Sequence, residues 1–328
     1  MRILTLDDIL DTYSKIVQRG YGFFISKFTL NKDSRAISAF DKSSEQTSNW
    51  WIIPAVNERW NRMVSGDPLT DHKQHLIKNF LKEERGLRLL SLGSGACEHE
   101  LELANYPHFA EITCVDINQA NLDRAKAIAA KENKNQMKFV CSNVEDYSFP
   151  DHYFDLVIFN DSLHHFKNVE HLLAHPIKNC LKPKGKLVIH EYVGPKRLQY
   201  PKHQLKAINK AIQLIDKPYR KRYKTNITKN HYYGSGVLRM IVADPSECVD
   251  SNNILPGIHK NFKTLEEKKY GGNILMSVLK DISHHFVTLD DKKKAVLDSL
   301  FKFEDDYLKE NPSDFIFGVY EKSESDTL

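Results

Sequence analysis

Gly93-Ser94-Gly95 follows the apolar run Leu87–Leu92 and precedes a helical-looking stretch, Glu98–Ala104. Glycine lets a backbone take unusual dihedrals and come close to a ligand, which a Cβ would prevent. A turn at a helix N-terminus offers free N–H groups that suit a carboxylate or a ribose hydroxyl. A second apolar run ends Val115-Asp116-Ile117, on an acid able to accept both hydroxyls of a ribose. A third ends Cys141-Ser-Asn143-Val144, where a polar side chain or a backbone amide can read an adenine edge with Val144 against the ring. A fourth ends Asn160-Asp161-Ser-Leu-His164-His165, and a fifth His190-Glu191-Tyr192. Imidazole titrates near neutral pH, so His164 and His165 suit a general base or a polar contact to substrate. Glu191 suits orienting an amine or taking a proton from a hydroxyl.

These residues act together only if a scaffold gathers the ends of the runs. Between 87 and 192 the pattern predicts strands at Leu87–Leu92, Ile112–Val115, Lys138–Cys141, Leu156–Phe159 and Lys186–Tyr192. Helices are expected near 98–106, 118–132 and 168–181, with Pro176 bending or shortening the last. Strands separated by helices imply a parallel sheet with right-handed crossovers, which binds ligands at the carboxyl ends of its strands. Residues 1–86 read as mostly helical, with an apolar stripe at Ile53, Val56, Trp60 and Met63 and a second at Leu76, Phe80 and Leu81. Residues 195–245 are polar, helical in pattern and rich in Lys, Arg and Tyr. A helix over Ser246–Ile258, a strand over Phe262–Tyr270, helix over 273–310 and a last strand over Asp314–Glu321 complete the expected order, before a disordered tail at 322–328. The expected division is thus an N-terminal helical segment covering the site (1–86), a core (87–194), and helical lid insertions with the last strands (195–328).

The order of these elements resembles the class I S-adenosylmethionine-dependent methyltransferases. Strand and glycine turn (Leu89–Gly95), acidic strand end (Val115–Asp116), Phe154-Asp155-Leu156-Val157 and Leu181-Lys-Pro-Lys-Gly-Lys-Leu-Val188 are similar to that family's motifs. The resemblance covers roughly residues 75–192. It implies a Rossmann-like α/β sheet with helices on both faces, S-adenosyl-L-methionine as cofactor, and methyl transfer as activity. It puts Gly93, Ser94 and Gly95 under the methionine part, Asp116 and Ile117 at the ribose, Asn143 and Val144 around the adenine, and Asn160 near the methionine amino group. Two positions depart: the family usually has an acid two before the first glycine, where this chain has Ser91, and a third small residue where it has Cys97. The departures leave room for a relative that binds the cofactor without transferring methyl.

The remaining candidates each carry two readings. His165 and Glu191 are the expected catalytic pair; alternatively one histidine caps a loop, and Glu191 pairs with Lys196 or Arg197. Asp161, His164, Tyr192 and Tyr233 are expected on the acceptor side, with Tyr192 equally suited to packing. No metal is expected, because His190 and Glu191 point to opposite faces of a strand. Arg59 or Arg62 would suit a methionine carboxylate, or a solvated helix face. Lys217-Pro-Tyr-Arg-Lys-Arg-Tyr-Lys224 mixes bases with aromatics, which would grip an RNA backbone or lie on a helix surface. Tyr232-Tyr233-Gly-Ser-Gly236 and Tyr270-Gly-Gly272 suit lid hinges or ordinary turns.

Composition narrows the field. The 328 residues are 41% hydrophobic and 27% charged, enough for a sizeable core without staples. A net charge of +4 does not argue for nucleic acid. The five cysteines include no Cys-x-x-Cys pair, so reduced thiols in a cytoplasmic protein are expected. No apolar run approaches the roughly 20 residues of a membrane span. The expected function is methyl transfer from S-adenosylmethionine to an oxygen or nitrogen of a small molecule; RNA or protein methylation and non-catalytic cofactor binding are the alternatives.

Overall fold

Strands β1 (Leu87–Leu92), β2 (Phe109–Asp116), β3 (Met137–Cys141), β4 (Phe154–Asn160), β5 (Leu181–Tyr192), β6 (Lys263–Gly271) and β7 (Phe315–Glu321) form one sheet in the order β3-β2-β1-β4-β5-β7-β6. The computed structural model describes residues 1–26 and 48–322; of the tail expected to be disordered at 322–328, Lys322 is buried and 323–328 lie outside the described residues. β1 and β4 are buried almost throughout, as central strands covered on both faces must be. β1 runs parallel to β2 and β4, β2 to β3, and β4 to β5. The Lys322 N–H donates to the Gly185 carbonyl at 2.9 Å, which sets the end of β7 beside the first half of β5 and so runs it antiparallel. The five expected core strands are all present. The chain's progress across the sheet reverses between β1 and β4, the position where open α/β sheets bind ligands.

The chain divides into two compact units, each assembled from three segments: 71–193, 248–268 and 316–328, and 1–70, 194–247 and 269–315. In the first, Leu90, Leu92, Val115, Val157, Phe159 and Ile189 join Leu173, Ile177, Ile254 and Ile258 in one buried core. The helix from Val169 to Cys180 carries a π turn at Leu173–Ile177 around Pro176. Proline has no N–H to donate, and a wider turn accommodates the missing bond.

The second unit holds the helices Leu6–Ser26, Pro54–Ser65, Lys202–Ile212, Val237–Ala243, Leu275–Leu279 and Asp291–Leu308. Ile53 and Val56 are fully buried, Trp60 meets Trp50 edge-on at 4.5 Å, and Trp60 and Met63 are half-buried, so the predicted stripe runs from the core to its margin. The helical pattern expected over 195–245 breaks at 221–236, which forms no helix. That stretch is spent on buried polar bonds. Asp7 accepts from the backbone N–H groups of Tyr233 and Gly234, and Asp8 from that of Gly236 at 2.9 Å.

The two arginines of the basic run are drawn inside as well, while Lys217, Lys221 and Lys224 stay exposed. Arg222 is 3% exposed, paired with Asp281 and lying 3.4 Å from Asp7 and 4.0 Å from Asp11. Arg220 is buried and donates to the Ile215 carbonyl at 2.6 Å. Lys229 is fully enclosed, and burial first, then the Arg222 charge, pushes its amine down to about 7. Arg59 pairs with Glu304 and Asp305 at 3.3 and 2.8 Å, and Arg62 is exposed. The glycines of the supposed hinges are tightly packed: a Cβ at Gly272 would lie 2.2 Å from Phe315 and one at Gly236 2.0 Å from Asp8. Among the described residues, no helix is long and apolar enough to cross a membrane.

Candidate active site

β1 ends in a turn with left-handed backbone at both of its glycines. Gly93 has φ +69° and Gly95 φ +55°. A Cβ on Gly93 would stand 2.8 Å from the Cβ of Ser162, whereas one on Gly95 would meet nothing within 4 Å. Gly93→Ala is therefore expected to lower stability by about 1–2 kcal/mol from the left-handed backbone alone. It would also push on Ser162, which holds the Leu92 carbonyl at 2.7 Å. Chemical denaturation measures the loss.

The turn is fastened to the end of β2. The N–H groups of Gly93 and Ser94 donate to the Val115 carbonyl at 2.8 and 3.2 Å. Asp116 takes the Gly95 N–H on one oxygen at 2.7 Å and the Asn118 N–H on the other at 2.8 Å. Burial raises the Asp116 carboxyl above its usual range, against those backbone donors. Ile117 follows, half-buried. Beyond β3, Asn143 is half-buried and accepts the Glu145 N–H at 3.1 Å, while Val144 joins the core.

At the ends of β4 and β5 the residues sort by face. Glu191 is fully buried. It accepts from the N–H groups of Ser162, Leu163 and Tyr192 at 2.9, 2.6 and 2.7 Å, and pairs with His164 Nδ1. It thus ties down the loop after β4; His164 and Tyr192 are buried with it, and the half-buried His165 ring lies 4.1 Å from that of His164.

His190 faces the other way and stands in a second group. Its Nδ1 lies 3.7 Å from the exposed Asp161 carboxylate, within ion-pair reach. The His72 ring stacks on it at 4.1 Å, and His99 lies 5.6 Å from His72. Burial first, with the Lys73 charge nearby, holds His72 well below the ordinary range and His99 down to about 4, while Asn160 hydrogen-bonds His72. His72 and His99 are therefore neutral at pH 7. Asp161 is held low: loss of water on its inner side acts upward, and the hydrogen bond and charge of His190 outweigh it. Sequence spacing singled out neither His72 nor His99; alternation along β5 was the signal separating His190 from Glu191. Tyr233, expected beside the acceptor, belongs to the other unit, where its half-exposed ring lies 4.4 Å from His231.

Residues 90–189 match the family model described as a methyltransferase domain. The ubiquinone/menaquinone biosynthesis C-methyltransferase UbiE of Shewanella frigidimarina is 26% identical over 204 residues, 58% of this chain and 79% of that one. Residues 90–189 are a methyltransferase domain, and the order of their motifs is that of the class I S-adenosylmethionine-dependent type. UbiE of Shewanella baltica (strain OS155) is likewise 26% identical, over 54% of this chain and 74% of that one. Among solved structures, phosphoethanolamine N-methyltransferase 2 of Haemonchus contortus, in complex with S-adenosyl-L-methionine, aligns with TM-score 0.48 at 18% identity, covering 83% of this chain and 57% of that one. The [4+2]-cyclase SpnF aligns with TM-score 0.46 at 17% identity, over 76% and 79%.

S-adenosylmethionine is the methyltransferase's cofactor, and the residues present fit it. The open space above Gly95 and the Asp116 carboxylate beside it make a cradle that a Cβ would fill. Ser91, at the position where the family usually has an acid, donates to the Glu100 carboxylate at 2.6 Å.

Proposed function

We propose that the methyltransferase moves the methyl group to an oxygen or nitrogen atom of a small-molecule acceptor, with His190 taking the acceptor's proton. The observation that carries this reading is the His190–Asp161 pair at the ends of β5 and β4, flanked by neutral imidazoles. When bound, the cofactor supplies a sulfonium whose methyl is already electrophilic. Gly95 and Asp116 would hold the nucleoside, Asn160 the methionine end, and Asn143 the adenine edge. Aligning the two reactants is worth roughly 7–11 kcal/mol of the barrier. The proton that the acceptor's heteroatom gives up on taking the methyl would pass to His190, where Asp161 would balance the charge. Glu191 acts through the loop it fastens, and His165 contacts the acceptor.

In the basic run Arg220 and Arg222 are buried and bonded within the protein, which leaves Lys217, Lys221 and Lys224 as the exposed cations an RNA acceptor would have to use. The UbiE relatives are named C-methyltransferases, which makes transfer to a ring carbon the reading to test against.

The cofactor site is tested by calorimetry. Asp116→Ala is expected to weaken S-adenosylmethionine binding by about 1.5–3 kcal/mol, the range for a charged acceptor; unchanged affinity would move the ribose elsewhere. The chemistry is tested with an isotope-labelled methyl donor and a panel of phenols, alcohols, amines and electron-rich rings. A label on oxygen or nitrogen is expected, with turnover falling about 10²–10⁴-fold in His190→Phe at unchanged cofactor affinity. A label on carbon, or full activity in His190→Phe, would overturn the proposal.

A further inference from the structure

We propose that Cys97, Glu100 and Cys114 form a binding site for one thiophilic divalent cation of the zinc or cadmium type, set beneath the glycine turn. The ligand atoms of the three residues all lie within 4.8 Å of one another, and all three residues are buried. They arrive from three elements: the N-cap of the helix Glu98–Leu103, that helix itself, and β2. Both departures from the family pattern converge here. Ser91 is paired in register with Cys114 on the neighbouring strand, and its hydroxyl fixes one Glu100 oxygen at 2.6 Å. The other Glu100 oxygen, Oε2, is buried and has no hydrogen-bond partner among the described residues. Cys97 holds φ +55°, a conformation that favours glycine.

A buried carboxylate oxygen without a partner is costly, and a cation would satisfy it. Two sulfurs with one carboxylate select a soft or borderline ion over magnesium or calcium. The Ser91 hydroxyl then serves as the outer partner that orients a ligating carboxylate. Binding involves no oxidation. Each thiol gives its proton to solvent as the metal–sulfur bond forms, and Glu100, whose carboxyl burial raises, gives up whatever proton it holds. Cys141 is exposed and separate from the group, which makes it the internal control. The site is independent of the acceptor chemistry proposed above.

The test is an anaerobic titration of the reduced full chain with Cd²⁺, following thiolate-to-metal charge-transfer absorption and proton release in weak buffer. One Cd²⁺ per chain is expected, displaced by Zn²⁺. The Cys97→Gly and Cys114→Ala variants should lose the absorption band, Glu100→Gln should bind about tenfold or more weakly, and Cys141→Ser should bind as wild type. Melting curves establish that the variants are folded, and X-ray absorption on the wild-type complex should report two sulfur ligands. Fewer than two sulfurs, retention of the band in folded Cys97→Gly or Cys114→Ala, its loss in Cys141→Ser, or no one-to-one complex at micromolar Cd²⁺ would overturn the proposal.

Discussion

Glu191→Ala is expected to lower the unfolding free energy by about 3–5 kcal/mol, the cost of removing one partner from a buried charged group. Three backbone N–H groups and His164 point at this carboxylate. Alanine leaves all of them without an acceptor in a place that water does not reach, since Glu191 is 0% exposed. The loop that follows β4 would lose its anchor, and Ser162 with it, whose hydroxyl ties the loop to the end of β1. Cofactor affinity should fall alongside stability. Glu191→Gln keeps the shape but turns an NH₂ toward donors, so an intermediate loss is expected. Denaturant unfolding of both variants decides between roles. Stability within about 1 kcal/mol of wild type, below the cost of one buried unsatisfied donor, would return Glu191 to the catalytic role that its strand-end position suggested.

That position shows how far the sequence reaches. The sheet was legible because β1, β2, β4 and β5 are apolar runs broken by glycine or acid, and a parallel sheet buried on both faces writes itself as such runs. Asp116 and Gly95 were legible because both end such runs. What alternation along β5 could not say is which of His190 and Glu191 faces the core. That depends on the loop after β4, whose backbone donors converge on residue 191. His72, His99 and Glu100 enter from helices of five and six residues, too short to show a period, so only packing fixes where their side chains point. Glu100 is the sharper case: an acid missing at Ser91 reads as a loss until the fold brings the Glu100 carboxylate against the Ser91 hydroxyl.

The basic run makes the complementary point and gives the second large effect. Arg222→Ala is expected to destabilise the helical unit by about 3–5 kcal/mol, because the buried Asp7 would be left short of its cation and the half-buried Asp281 would lose its ion pair, while Asp11 keeps Arg239 and Lys280. Nothing local foretells this, since Asp7 lies 215 residues away in sequence. Arg222→Lys should recover only part of the loss: an ammonium is one point of charge, and guanidinium here reaches Asp281 through one nitrogen and Asp7 through another. The coupling can be isolated by a double-mutant cycle with Asp281→Asn, where the double variant should be less destabilised than the sum of the two single ones. Lys229 supplies an independent readout. The Arg222 charge helps hold its amine down to about 7, so removing that charge should raise the value. A lysine whose folded value is depressed binds fewer protons folded than unfolded, so it makes stability climb with pH from about 7 to its ordinary value near 10.5. In Arg222→Ala the climb should start at higher pH. An Arg222→Ala protein as stable as wild type, with the same pH profile, would mean that the run is a solvated surface and would reopen the nucleic-acid reading.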